Sequence, residues 1–286
     1  MRLVLFLLWC LRWLPMPWVR AIGRTLGRLL FRFGRRRVTL TNLRACFPEL
    51  SEGERVAIGR RVFERLASSA LDLGWLWYAP VETALSRIRM VDFHHMEALR
   101  GKAPVILLVP HFSGLDFGGA AFSHAIPEAF AMYSAQKNKV FDAALRRARK
   151  RYADAELVTR QQGLRPVLKG LKARRPFFYL PDMDFGARDA VFVDFFGVKT
   201  ATITTLSRLC ASSGAKVVPM IATQTDSGYD ARFYPAWENF PSGDDVADAR
   251  RMNAFLEERV REAPDQYFWV HKRFKTRPPG EPGFYE

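Results

Sequence analysis

Residues 104–119 read PVILLVPHFSGLDFGG. The unbroken apolar, β-branched run at 104–109 predicts a strand covered on both faces, as in the parallel sheet of an α/β protein. Ser113, Gly114 and Asp116 are turn and helix-start residues. The strand is therefore expected to end in a tight turn carrying His111 and to resume as a helix whose first turn holds Asp116. Residues five apart cannot share a helix face at about 100° per residue. His111 and Asp116 would meet only through a turn between them, and Gly114 supplies the freedom for it. A carboxylate reaching His111 Nδ1 would fix the tautomer and stabilise the imidazolium, leaving Nε2 to deprotonate a substrate hydroxyl. That chemistry needs no serine or cysteine nucleophile.

Outward from this unit, helix-period and strand patterns alternate. Helices are expected at 51–79 (opened by a capping box, Ser51 to Glu54), 138–152, 165–173 and 252–262. Strands are expected at 176–180, 216–222, 231–235 and, rich in aromatics, 266–270. The alternation predicts one α/β sheet without a linker or repeat.

The 286 residues carry 44 Lys+Arg against 29 Asp+Glu, a net charge of +15. Such an excess calls for an anionic partner, nucleic acid or a phosphorylated membrane surface. With 23 Phe and 7 Trp in a chain that is 49% hydrophobic, a lipid interface is favoured, and no zinc-finger, RRM or basic-zipper pattern is present. Cys10, Cys46 and Cys210 are widely spaced and form no disulfide or metal pattern, which fits a reducing compartment. Residues 3–19 are apolar but interrupted by Arg12, Pro15 and Pro17, marginal for a bilayer span. Arg20, Arg24, Arg28 and Arg32 then recur every fourth residue among Ile22, Leu26, Leu29, Leu30 and Phe33, the pattern of an amphipathic helix on anionic lipid. Residues 1–33 are thus expected to be an N-terminal membrane-anchoring helix, and 34–286 a catalytic domain facing the cytoplasm.

Asp182 and Asp184 follow a predicted strand, where open α/β sheets place ligands. An Asp-x-Asp pair can hold a divalent metal between nucleotide phosphates in a glycosyltransferase; alternatively these aspartates cap the turn and pair with Arg188 or Arg160. His94 and His95, expected to diverge in a strand, and His124 and His271 read as structural, and Ser113 as a turn residue.

HFSGLD, residues 111–116, fits the His-x4-Asp motif of glycerolipid-type acyltransferases. In the same order, TNLRACFPEL (41–50), MYSAQKN (132–138), YLPDMDFG (179–186), VFVDFFGVKTAT (191–202) and FWVHKRFKTRPPGEP (268–282) resemble the late acyltransferases of bacterial lipid A synthesis. The resemblance implies a glycerolipid-acyltransferase-like fold, a mostly parallel central sheet flanked by helices, with no metal and no cofactor. It also implies transfer of an acyl group from acyl carrier protein, or another acyl thioester, to a hydroxyl of a phosphorylated lipid A precursor at the inner membrane. His111 and Asp116 would be catalytic, with backbone amides or an arginine holding the oxyanion. Arg160, Asp182, Asp184 and Arg188 would contact substrate. The family's usual Arg-Pro after the tyrosine is Ser134-Ala135 here, so that contact is absent or supplied elsewhere, with Lys137 a candidate. Acyl carrier protein, the glycolipid acceptor and the bilayer surface are all anionic, in keeping with the charge; nucleic acid is not an expected partner. Another glycolipid or phospholipid acceptor, a metal-dependent glycosyltransferase using Asp182 and Asp184, and a non-enzymatic basic binding protein are the alternatives.

Overall fold

Val105, Ile106, Leu107, Leu108 and Val109 are all fully buried, as a strand covered on both faces requires. The computed structural model describes residues 1–154 and 156–285, the side chain of Arg160 excepted. The chain opens with helices α1 (Arg2–Leu11), α2 (Met16–Phe33), α3 (Arg36–Cys46), α4 (Glu52–Tyr78) and the short α5 (Val81–Leu85). Strand β1 (Ile88–Val91) and helix α6 (His94–Glu97) lead to β2 (Val105–Leu108), α7 (Leu115–Ala125), β3 (Phe130–Tyr133), α8 (Lys139–Lys150) and β4 (Glu156–Thr159). A 3-10 turn at Arg160–Gln162 precedes α9 (Arg165–Lys172), β5 (Phe177–Tyr179), and the strands β6 (Ala190–Phe195) and β7 (Val198–Ile203). The last elements are α10 (Thr205–Ser213), β8 (Lys216–Gln224), β9 (Tyr229–Phe233) and α11 (Asp245–Glu262).

Seven strands form one sheet in the order β1-β9-β8-β2-β5-β3-β4. Every pairing in it is parallel except β8 with β9. The mostly parallel sheet with flanking helices is therefore present, and β6 and β7 form a separate antiparallel hairpin. Strand alternation divides the core. Ile106 and Leu108 join residues of α3, α4, α9 and α11 on one side, while Val105, Leu107 and Val109 pack with Phe122 and Ile126 on the other. The capping box forms as expected: the Ser51 N–H donates to Glu54 Oε2 at 2.7 Å, and the Glu54 N–H donates to Ser51 Oγ at 3.3 Å.

Three local expectations are corrected. The first 33 residues are two helices broken before Pro15, and none of the described helices is long and apolar enough to cross a membrane. Instead α2 lies against α4. A Cβ on Gly27 would sit 2.5 Å from Glu64 Cα, so the helices approach as closely as glycine permits. The arginine stripe divides accordingly: Arg20 is buried, Arg28 pairs with Glu64 at 2.8 Å, and Arg24 and Arg32 are exposed. Residues 266–270 form no strand but a single bridge, Tyr267 to Phe112, because the chain turns back at once with the Trp269 N–H donating to Tyr267 O. His94 and His95 begin a short helix, which brings their rings to 4.1 Å rather than apart.

Candidate active site

β2 and β5 are adjacent, parallel and in register, with Leu108 opposite Tyr179. His111 lies three residues beyond the first and Asp182 three residues beyond the second, so equal run-outs from paired strands carry them to the same place. His111 Nδ1 is 2.7 Å from Asp182 Oδ1, and the His111 backbone N–H donates to Asp182 Oδ2 at 2.9 Å. The buried Tyr267 ring lies nearby, and burial together with the Asp182 charge pushes its hydroxyl pKa well up. The Asp182 side chain is wholly buried, while that of His111 is 24% exposed.

This corrects the expected pairing. The carboxylate orienting His111 is Asp182, not Asp116, and its burial makes Asp182 a support for the histidine rather than a substrate contact. Asp116, in the first turn of α7, is 3.8 Å from Arg149 on α8, with both side chains partly exposed. Arg149 also lies over the Tyr133 ring at 5.6 Å. Asp116 still acts on His111 through space. Burial opposes charging the imidazole, but the Asp182 charge and hydrogen bond, with a smaller push from Asp116, raise its pKa above the ordinary 6.5. Burial likewise opposes the Asp182 carboxylate, yet His111 and the nearby Arg273 hold its pKa below the usual aspartate value. An ionised Asp182 fixes the proton on Nδ1 and leaves Nε2 as the basic nitrogen.

The turn is fastened on both sides. The Ser113 N–H donates to Gln266 O (2.9 Å), the Gly114 N–H to Ala222 O (3.0 Å) and the Phe268 N–H to His111 O (3.1 Å). Ser113 Oγ donates to Gln266 Oε1 at 2.5 Å, so its hydroxyl ties the turn to a distant segment rather than closing it locally. A Cβ on Gly114 would lie 2.7 Å from the Ala222 carbonyl carbon, so glycine is required for this approach. Because the amides of Phe112, Ser113, Gly114 and Leu115 all donate within the turn or to its neighbours, they are not available as oxyanion donors.

Asp184 is also committed. It accepts from the Gly186 N–H (2.9 Å), the Thr276 N–H (2.7 Å) and the Thr276 hydroxyl (2.8 Å), pinning the C-terminal segment. Its own N–H donates to His271 Nε2 at 3.1 Å. Burial, and then Arg273, depress the His271 pKa and favour that neutral acceptor. Asp182 and Asp184 thus spend their oxygens on protein donors, and among the described residues no group of three His, Cys, Asp or Glu is arranged to hold a metal. Arg188 extends into solvent near Asp189 (3.8 Å) and pairs with neither aspartate. Lys137 is exposed between β3 and α8, and the Arg160 side chain lies outside the described residues. Sequence reasoning passed over Asp182 as the histidine's partner, and also Arg149, Gln266 and Tyr267. One signal was present: both strands are followed at once by an apolar residue, proline and a polar residue, VPH at 109–111 and LPD at 180–182.

A family model described as bacterial lipid A biosynthesis acyltransferase matches residues 1–276. The lipid A biosynthesis lauroyltransferase of Escherichia coli K12 is 33% identical over 284 residues, spanning 97% of this chain and 92% of the relative. The lipid A biosynthesis myristoyltransferase of the same organism is 33% identical over 266 residues, 90% of this chain and 80% of the relative. Among solved structures, the 1-acyl-sn-glycerophosphate acyltransferase of Thermotoga maritima is matched at 14% identity and a TM-score of 0.39, over 85% of this chain and 97% of that one.

Proposed function

The chain belongs to the bacterial lipid A biosynthesis acyltransferases, and from that premise we propose that it transfers a fatty acyl group from acyl carrier protein to a hydroxyl of a phosphorylated lipid A precursor. The His111–Asp182 pair at the ends of β2 and β5 is the observation that supports the mechanism. His111 Nε2 takes the acceptor hydroxyl's proton as its oxygen attacks the thioester carbonyl. The imidazolium that forms is stabilised by the buried Asp182 carboxylate. The tetrahedral intermediate collapses with cleavage of the C–S bond, and the proton passes from His111 to the leaving thiolate. With the turn amides spent, the oxyanion is assigned to a cation, and Arg149, held beside Asp116, is the proposed one. Arg160, on the family resemblance, and the solvent-exposed Arg188 are proposed contacts to acceptor phosphates.

We also propose that the protein lies on the cytoplasmic face of the inner membrane through α1 and α2. Leu3, Phe6, Leu7, Trp13, Trp18, Ile22, Leu29 and Phe33 are exposed there, bordered by Arg24 and Arg32. Apolar burial and attraction to anionic headgroups act together on such a surface.

The purified full chain, incubated with acyl carrier protein thioesters of graded chain length and a diphosphorylated lipid A precursor, should add one acyl group by mass spectrometry. His111→Ala should lose at least about a hundredfold in rate while remaining folded. Excess EDTA should leave the rate unchanged. Absence of any acyl increment, or transfer of a sugar that EDTA abolishes, would overturn the proposal.

A further inference from the structure

On the face of α2 opposite its exposed apolar residues, Arg20 is 4% exposed. Its Nε donates to Asp72 Oδ2 of α4 at 3.2 Å. Nη1 donates to the carbonyls of Thr225 and Asp226, the latter at 2.8 Å, and Nη2 to that of Gly228 at 3.0 Å. One guanidinium therefore ties α2 both to α4 and to the β8–β9 turn. The Tyr229 hydroxyl donates to the same Asp72 oxygen at 2.7 Å, and Arg20 lies 5.4 Å from the centre of the Tyr229 ring.

From this cluster two paths reach the candidate active site. The Tyr229 ring is stacked on Phe117, the neighbour of Asp116 in α7, at 3.6 Å and 7° between planes. Gln224 Nε2 donates to Tyr229 Oη at 3.3 Å, and the Gln224 backbone N–H donates to Gln266 Oε1 at 2.7 Å. That same oxygen accepts from Ser113 Oγ, two residues after His111.

A buried ion pair is a poor device for stability alone, since well-packed apolar residues of similar volume often serve as well or better. Its strength is geometric: the planar fork of Arg20 has acceptors at fixed angles on one turn and one helix. We infer that Arg20, Asp72 and Tyr229 are positioning residues for acyl transfer, carrying the seating of α2 on its lipid surface into the His111 turn and the first turn of α7. The lipid-surface and acyl-transfer parts rest on the function proposed above; the coupling itself does not.

The test uses the full chain with Arg20→Met/Asp72→Leu, which removes both charges, and Tyr229→Phe, which keeps the ring stack and loses the hydroxyl. Hydrogen exchange is read at the Ser113 and Gly114 amides, alongside vesicle sedimentation, kcat and KM. Exchange at those two amides should quicken about tenfold or more while β6 and β7 amides stay unchanged. Vesicle binding should persist, and kcat should fall about tenfold or more, as small misplacements of reacting groups do, with KM little altered. Exchange that quickens uniformly, or not at all, with kcat per folded molecule at the parent value, overturns the inference. If the double variant does not fold, Tyr229→Phe and Arg20→Lys decide by the same readouts. A parent chain that acylates no lipid A precursor defeats the proposed function alone, because the exchange comparison still decides the coupling.

Discussion

Asp182→Asn discriminates most sharply between the two carboxylates near His111. The aspartate accepts from the His111 backbone N–H at 2.9 Å through one oxygen and from Nδ1 at 2.7 Å through the other. The two His111 groups meet different carboxylate oxygens, and an asparagine replaces one of those oxygens by an NH2 that only donates, so in this geometry it cannot accept from both. If its oxygen meets the backbone N–H, its NH2 faces Nδ1 and moves the proton to Nε2, which can then no longer act as a base. The reverse orientation sets two donors against each other in a buried site. Loss of a working general base costs roughly 10²–10⁴ in rate, about 2.7–5.4 kcal/mol at 1.36 kcal/mol per factor of ten. The pH profile gives an independent sign. His111 must be neutral to accept a proton, so the parent's rate rises with pH through a value above 6.5. Without the Asp182 charge, burial, which favours the neutral ring, is opposed mainly by Asp116, and the acid limb moves to lower pH. The assay is kcat across pH for the parent, Asp182→Asn and Asp116→Asn, each checked for folding by circular dichroism. Activity of Asp182→Asn within about tenfold of the parent, with an unmoved acid limb, would refute the assignment of Asp182 as the histidine's partner.

Trp18→Gln combined with Phe33→Gln should weaken binding to anionic vesicles by at least about tenfold, since each large apolar side chain contributes roughly 1.5–3 kcal/mol when fully buried. Both are exposed (67% and 84%), so the melting temperature should hold, and unchanged sedimentation at low and high salt would remove α2 from the membrane surface. Gly114→Ala places a methyl 2.7 Å from the Ala222 carbonyl carbon. The variant should lose about 1–3 kcal/mol of stability in denaturant titration and also lose activity; parent-like values for both would show that the turn is looser than described.

The β2–turn–α7 unit was legible because its information is local: an apolar run, a turn residue and a helix start lie consecutively at 104–119. The capping box at Ser51 and Glu54 was legible for the same reason, its donors and acceptors lying within one helical turn. The short strands β1, β3 and β4 and the β6–β7 hairpin went unread, since runs of four to six residues carry little periodicity to distinguish them. The amphipathic character of α2 was plain, yet which of its arginines faces solvent was not. Arg20 repeats the spacing of Arg24 and Arg28, and only the presence of Asp72 and the β8–β9 turn against it explains its burial. The partner of His111 depended on tertiary structure in the same way. Asp116 is near in sequence, but Asp182, 71 residues away, is brought to Nδ1 because β5 lies beside β2 in parallel register. The chain's own order specified that a histidine would stand at a strand end before a helix. Strand pairing, which sequence separation does not encode, decided which carboxylate would stand behind it.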